Sequence, residues 1–284
     1  MSSFKNQFFG SFSGNIAAVT LAVLLLAGSG PARAQGERRT VFTENDFHWQ
    51  GNLKPGQTLE IIGRNGEIDA TGATGDAAQV EGIKRTSGDG ANEVFVEVVE
   101  YADGVTICAV YEKDAQPGRC HHGGTDSDHH GWSWHNNHTK LNFNVKVPRG
   151  VVLKAMTTNG GIRGRDLNSV VEATTTNGNV DVATSEWASA RTTNGGLTVA
   201  MGSAKWSGEL ELLTTNGSVH ASLPASAEFK VRAVTTNGGI HTDFPVTVLG
   251  SFGSKDLSGT VGAGGRDLRL GTTNGGIELR KSGS

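Results

Sequence analysis

The chain has 284 residues, of which 41 are glycine, six are proline and 19% are charged. This composition suits many tight turns rather than disorder, and the length sets a prior of one or two domains. Lys and Arg total 25 against 28 Asp and Glu, a net charge of −3, which excludes the basic footprint of a nucleic-acid binder.

Taken in order, residues 1–34 read as a targeting signal. Lys5 is the single n-region charge, Ile16–Ala27 is an apolar run too short to span a bilayer comfortably, and Ala32-Arg33-Ala34 is an A-x-A cleavage site. Cleavage after Ala34 leaves Gln35 first and removes Lys5 and Arg33, so 23 basic residues face 28 acidic ones, net −5. No Cys follows the apolar run and no second apolar stretch exists. The expectation is a protein with no stable membrane span in its mature form, exported to the periplasm, the cell surface or the medium. An uncleaved N-terminal anchor is the alternative.

Residues 35–150 form an irregular β region. Gln57–Ile62 and Gly66–Ala70 flank Asn65-Gly66, and Val94–Val99, Val105–Tyr111 and Leu141–Val147 alternate apolar and polar residues or run apolar. No mature segment holds a helical apolar period for three turns. Cys108 and Cys120 would be free thiols in the cytosol, but export makes a disulfide the expectation. Closing a loop of that size contributes roughly 3 kcal/mol in the chain-entropy model. A redox pair would more often show C-x-x-C spacing.

Residues 121–138 read HHGGTDSDHHGWSWHNNH and hold six of the nine histidines. His121, His122, His129, His130, His135 and His138, with Asp126 and Asp128, offer imidazoles and carboxylates suited to Zn²⁺, Cu²⁺ or Ni²⁺. The spacing matches no defined metal motif. The alternatives are a polar surface loop tethered by the disulfide, and a Trp132–Trp134 platform for sugar or protein. No cofactor is otherwise implied.

Residues 151–284 are organised by Thr-Thr-Asn-Gly, whose asparagines are Asn159, Asn177, Asn194, Asn216, Asn237 and Asn274. The gaps are 18, 17, 22, 21 and 37 residues, the last suggesting a coil that has lost its signature. Apolar residues and Thr recur six, four and two positions before each Asn, as in Leu153/Ala155/Thr157, and again three after it, as in Ile162. The odd positions before the Asn carry Lys154, Glu172, Arg191, Glu211, Arg232 and Arg269, which must face water. Period-two alternation on both sides of a fixed bend makes each repeat two strands. Leu59, Ile61, Ile68 and Ala70 around Asn65 fit the same frame, so a degenerate first coil begins near residue 57. Asn-Gly also suits a hairpin with positive φ at both residues. A hairpin has no need of two threonines in every copy, whereas a parallel stack at ~4.8 Å lets Thr and Asn bond along columns. The fold expected is all-β, a parallel β-solenoid with coils of about 17–22 residues.

The run from Val145 through VPRG and VVLKAMTTNGGI, the repeated T-T-N-G-x-[IVL], LSGTVGAGG at Leu257–Gly265 and the closing LGTTNGGIEL resemble the bacterial "putative adhesin" β-strand-repeat family, an exported domain of unknown function. The resemblance covers roughly residues 57–284 and extends to the cysteine pair. It implies a β-solenoid on the cell envelope or secreted, with a cell-surface or envelope protein or polysaccharide as partner, and carries over no catalytic residues.

Nothing else points to catalysis. G-x-S-x-G, Walker and strand-following G-x-G-x-x-G motifs are absent. Asp166, Asp181, Glu186, Asp243, Asp256 and Asp267 sit at different offsets from the repeat Asn, so no outward acid pair is expected to work as a glycosidase would. His220 and His241 fall in consecutive repeats, which predicts adjacent stacking. The chain reads as a non-enzyme: an adhesin-like binder or envelope scaffold, with metal sequestration as the alternative and a β-helix carbohydrate enzyme last.

Overall fold

Alternating side chains along short segments give strands with one wet face, and the chain is built from almost nothing else. The computed structural model describes residues 37–86, 94–111, 118–125, 139–248 and 253–282. Among them every regular element is a strand. The N-terminal strands are β1 (Arg38–Phe42), β2 (Asp46–Asn52), β3 (Thr58–Ile62), β4 (Ile68–Gly72), β5 (Ala77–Arg85), β6 (Val94–Tyr101), β7 (Gly104–Tyr111), the short β8 (Cys120–His121) and β9 (Gly124–Thr125), and β10 (Lys140–Val147). The repeats supply β11 (Val152–Asn159), β12 (Ile162–Leu167), β13 (Val171–Asn177), β14 (Val180–Thr184), β15 (Ala188–Arg191), β16 (Leu197–Met201), β17 (Glu209–Leu213), β18 (Val219–Pro224), β19 (Phe229–Asn237) and β20 (Ile240–Thr242). The chain ends with β21 (Val246–Thr247), β22 (Asp256–Val261), β23 (Arg266–Asn274) and β24 (Ile277–Ser282).

The strand before each bend joins one sheet and the strand after it joins a second. The first has 12 strands in the order β1-β6-β7-β3-β11-β13-β15-β17-β23-β19-β22-β21, the second ten, β2-β5-β10-β4-β12-β14-β16-β18-β24-β20. Repeat strands pair in parallel with equivalent residues abreast, as in Leu153 beside Val171 and Ile162 beside Val180. This is the expected solenoid, and it excludes Asn-Gly hairpins in the repeats. Both sheets run past residue 150 without a break, because β3 pairs with β11 and β4 with β12. Inward rows such as Leu59, Leu153, Val171, Leu210 and Leu268 merge into one core between the sheets. Burying a side chain such as Leu212 there contributes roughly 1.5–3 kcal/mol.

The tetrad has a physical reason for three of its four letters. The first Thr points inward and donates its hydroxyl to the Gly carbonyl of the neighbouring coil: Thr157 to Gly66 at 3.1 Å, Thr175 to Gly160 at 2.9 Å, Thr272 to Gly217 at 2.7 Å. The expectation of threonines bonding one another is corrected, since the carbonyl is the acceptor each hydroxyl reaches. The Asn side chains do form a ladder. In the stacking order Asn65, Asn159, Asn177, Asn194, Asn216, Asn274, Asn237, each amide after the first donates to the Oδ1 of the preceding rung at 2.7–2.8 Å. A Cβ on Gly160, Gly178, Gly195 or Gly238 would collide with the glycine carbonyl of the adjoining coil. Glycine is needed for close approach, and no tetrad Asn takes positive φ as a hairpin turn would require.

The ladder's order exposes a difference from the sequence. The coil at Asn274 lies between those at Asn216 and Asn237, because β23 pairs with β17 on one side and β19 on the other. The 37-residue gap is therefore not a faded coil. It contains β22, antiparallel to β19, and β21, antiparallel to β22, which cap the sheet end before the chain returns to insert its last coil. The N-terminal end repeats the device: the β3–β4 coil lies between β7–β10 and β11–β12. Identical inward phases in every repeat leave chain order unable to dictate stacking order.

Candidate functional site

The outer face of the first sheet is covered at its N-terminal end. The disulfide joins Cys108 to Cys120 with Cα atoms 5.7 Å apart, as export predicted. It anchors the β8–β9 tongue over β6, β7 and β3, where Ile62, Phe95, Val99, Cys108, Val110 and Cys120 form a second small apolar cluster.

Two outward carboxylates become buried under this tongue. Glu97 accepts from the amides of Gly118 at 2.7 Å, Arg119 at 3.0 Å and Cys120 at 2.9 Å, and from the Arg39 guanidinium at 2.9 Å. Glu60, 1% exposed, accepts from the Thr106 hydroxyl at 2.7 Å and the Gly123 amide at 3.1 Å. His122 Nδ1 lies 3.0 Å from Glu60 Oε2, and the Tyr101 hydroxyl lies 3.2 Å from the same nitrogen. Burial raises the Tyr101 phenol pKa; the Thr106 hydrogen bond opposes that, and the charges of Glu60 and Asp103 add to it. Period-two spacing places Glu60 and Glu97 outward, but it carries no sign that a tongue closes over them. That is how sequence reasoning missed this network.

Of the metal set, the structure describes only His121 and His122; Asp126, Asp128, His129, His130, His135 and His138 lie outside the described residues, as do Trp132 and Trp134. No group of three or more metal-type ligands occurs among the described residues. Residues 112–139 join β7 of the first sheet to β10 of the second, a connection that carries Asn-Gly in the repeats.

The inserted coil also rearranges the outward columns. His220 and His241 are not neighbours, since Glu278 stands between them and pairs in register with both. His220 Nδ1 is 3.3 Å from Glu278. Hydrogen bonds from Arg280 first and His220 second hold the Glu278 carboxyl below its ordinary pKa. Glu209 and Asp267 stand abreast in register, an outward acid pair that chain order does not predict. They sit on neighbouring strands of one wall, not on opposite sides of a scissile bond as paired glycosidase carboxylates do. Elsewhere opposite charges compensate: Lys154 with Glu172 at 3.2 Å, Arg163 with Glu67 at 3.0 Å, and Glu211 with both Arg191 and Arg269.

Along the corner where the tetrads bend runs a shallow trough of about 580 Å³, reaching from Glu67 to His220 across five coils. Gly161, Gly178 and Gly196 line it together with the charged or titratable Glu67, Arg163, Asp181 and His220 and the side chains of Asn179, Val180, Thr198 and Ser218.

The architecture defines a parallel β-solenoid of stacked Thr-Thr-Asn-Gly coils, tied at both ends by interleaved strands. Residues 140–280 match the model of the Toastrack DUF4097 family; the β3–β4 coil and β7 lie outside that span yet extend the same sheets. Two solved structures are similar: a "putative cell adhesion protein" from Clostridium sporogenes ATCC 15579 (11% identity, 84% of this chain and 100% of that one, TM-score 0.40) and a "putative adhesin" from Bacteroides fragilis NCTC 9343 (7% identity, 84% and 97%, TM-score 0.34). No curated protein matches in sequence.

Proposed function

We propose that this protein is a non-catalytic, exported solenoid that presents a long fixed surface, acting as an adhesin-like binder or an envelope scaffold. The uninterrupted ladder carries the reading: seven asparagines joined by hydrogen bonds of 2.7–2.8 Å keep every outward column in one register. A rigid lattice binds without the ordering cost that a mobile surface incurs. The disulfide supports an oxidising compartment, and the pattern of residues 1–34 supports release from Gln35 into the periplasm, onto the surface or into the medium. Among the described residues no helix is long and apolar enough to cross a membrane. The partner is an envelope or cell-surface protein or polysaccharide, and no cofactor is required. The test incubates the chain from Gln35 with envelope fractions and their purified polysaccharides. Retention without new chain ends is expected; turnover of any polysaccharide overturns the reading.

A second reading, metal sequestration by residues 121–138, is favoured by one observation. Glu60 holds the exposed His122 at Nδ1, the carboxylate–histidine arrangement that orients metal ligands. Calorimetry with Zn²⁺ and Cu²⁺ should show binding that deletion of residues 121–138 removes. Equal binding by the deleted chain ends this reading.

A further inference from the structure

We propose that Asn237–Gly238, the last rung of the ladder, is a self-modification site: the Gly238 amide nitrogen closes on the Asn237 side chain and converts it, through a cyclic imide, to aspartate or isoaspartate. The inference is independent of what the outer columns bind.

The chain holds seven Asn-Gly pairs, with Asn at 65, 159, 177, 194, 216, 237 and 274. Glycine has no Cβ to shield its amide nitrogen from the side chain before it, so every pair carries a nucleophile beside an electrophile. In the reaction the Gly nitrogen bonds to the Asn Cγ and gives its proton to water, while the Cγ–Nδ2 bond breaks and ammonia leaves. Water then adds to one of the two imide carbonyls and opens the ring. One opening gives aspartate; the other reroutes the backbone through the side chain as isoaspartate. Water is the only co-reactant, and nothing is oxidised or reduced.

The solenoid occupies the nucleophile in six of the seven pairs. Gly66 donates its N–H to the Asn159 carbonyl, Gly160 to Asn177, Gly178 to Asn194, Gly195 to Asn216, Gly217 to Asn274 and Gly275 to Asn237, all at 2.9–3.0 Å. Each bond points to the next coil in space, so the direction of the stack leaves the final rung without an acceptor. Among the described residues the Gly238 N–H donates to nothing. The side chain is also held at one end only. Asn237 donates to Asn274 Oδ1 at 2.8 Å, and no described group donates to its own Oδ1. Gly238 is exposed, whereas the glycines of the other six pairs are buried or half-buried. Nucleophile, electrophile and water therefore meet at this rung alone. The product carboxylate has no N–H to give Asn274, and isoaspartate lengthens the backbone where β19 turns into β20. Modification thus loosens the terminal coil, whose β20 has three residues.

The test holds the folded chain from Gln35 in mildly alkaline heavy-oxygen water and maps its peptides by mass spectrometry, with an isoaspartate methyltransferase as second readout. Asn237 should convert roughly tenfold faster than any other Asn-Gly, since each of those must first open a hydrogen bond. In denaturant all seven should convert at similar rates, because the ladder is gone. Asn237→Ser should remove the signal and leave Asn274 slow, since the backbone carbonyl at position 237 still holds the Gly275 amide. Hydrogen exchange at Ile240–Thr242 should quicken in the aged protein and in Asn237→Asp alike. Absence of conversion at Asn237, or another rung converting as fast in the folded chain, overturns the proposal. A preference for Asn237 that persists in denaturant does so too, because sequence and not the fold would then select it. Fast conversion of Asn274 in Asn237→Ser overturns it as well, by placing the protection in the side-chain ladder rather than at the amide.

Discussion

At the scale of single residues, the two threonines of one tetrad separate a folding role from a surface role. Thr175 is 2% exposed and donates to the Gly160 carbonyl at 2.9 Å, so Thr175→Val strands a buried acceptor. The expected cost is about 1–3 kcal/mol, read as a drop in melting temperature, whereas Thr176→Val should leave melting unchanged. Equal effects would remove the distinction. Gly178→Ala should cost about 1–3 kcal/mol or more, because its Cβ meets the Gly160 carbonyl. The inward register from Leu59 to Leu279 was legible, because period two and a fixed bend leave one phase. The acceptor of the threonine hydroxyl was not, because spacing fixes which face a side chain takes but not which neighbour it meets. Tyr111 adds a pH dependence. Burial chiefly pushes its phenol up to about 12, against the pull of hydrogen bonds to Asn65 and Leu141 and the charge of Arg64. The folded pKa lies above the unfolded value near 10, so the stabilisation is complete below about pH 10 and is lost as pH rises through 12. Melting measured between pH 8 and 12 should fall less for Tyr111→Phe than for the parent.

At the scale of elements, the tongue is one unit held by a disulfide and two buried acids. Without the disulfide, three amide bonds to Glu97 and the Gly123 bond to Glu60 must hold β8 and β9 against chain entropy. Cys108→Ser with Cys120→Ser should cost about 3 kcal/mol. The loss should be local: hydrogen exchange should quicken at Gly118, Arg119, Cys120 and Gly123 while the amides of β13 and β14 stay protected. Uniform acceleration would mean the tongue is not a separate unit. The disulfide was readable because export and pairing are arguments from the chain itself. The carboxylates beneath it were not, because an outward Glu in a strand reads the same whether water or a tongue lies above it. The His-rich segment keeps its open role, with only His121 and His122 placed against that network.

At the scale of the whole molecule, the interleaved ends change what kind of solenoid this is. A simple stack depends only on nearest neighbours and frays from its last coil. Here the last coil in the chain is the second from the end in space, so β23 and β24 bridge β17–β18 to β19–β20. The edges at this end are minimal: β20 has three residues and β21 two, which blunts pairing with other chains. Removing residues 266–284 would strip both sides of the inserted coil. It would expose β17, β18 and β19 as long unpaired edges and the inward faces that Leu268, Leu270, Ile277 and Leu279 now cover. The truncated chain should lose the cooperative melt of its C-terminal coils and associate with rising concentration, measured by light scattering and calorimetry. A milder probe, Leu270→Ala, should cost about 2–5 kcal/mol and weaken protection in β17 and β19 together, since both pack beside it. If the truncated chain stays monomeric with an unchanged melt, β19 has stacked directly on β17, as the order of the sequence alone would have it. Interleaving would then be a consequence of the fold rather than what holds its end.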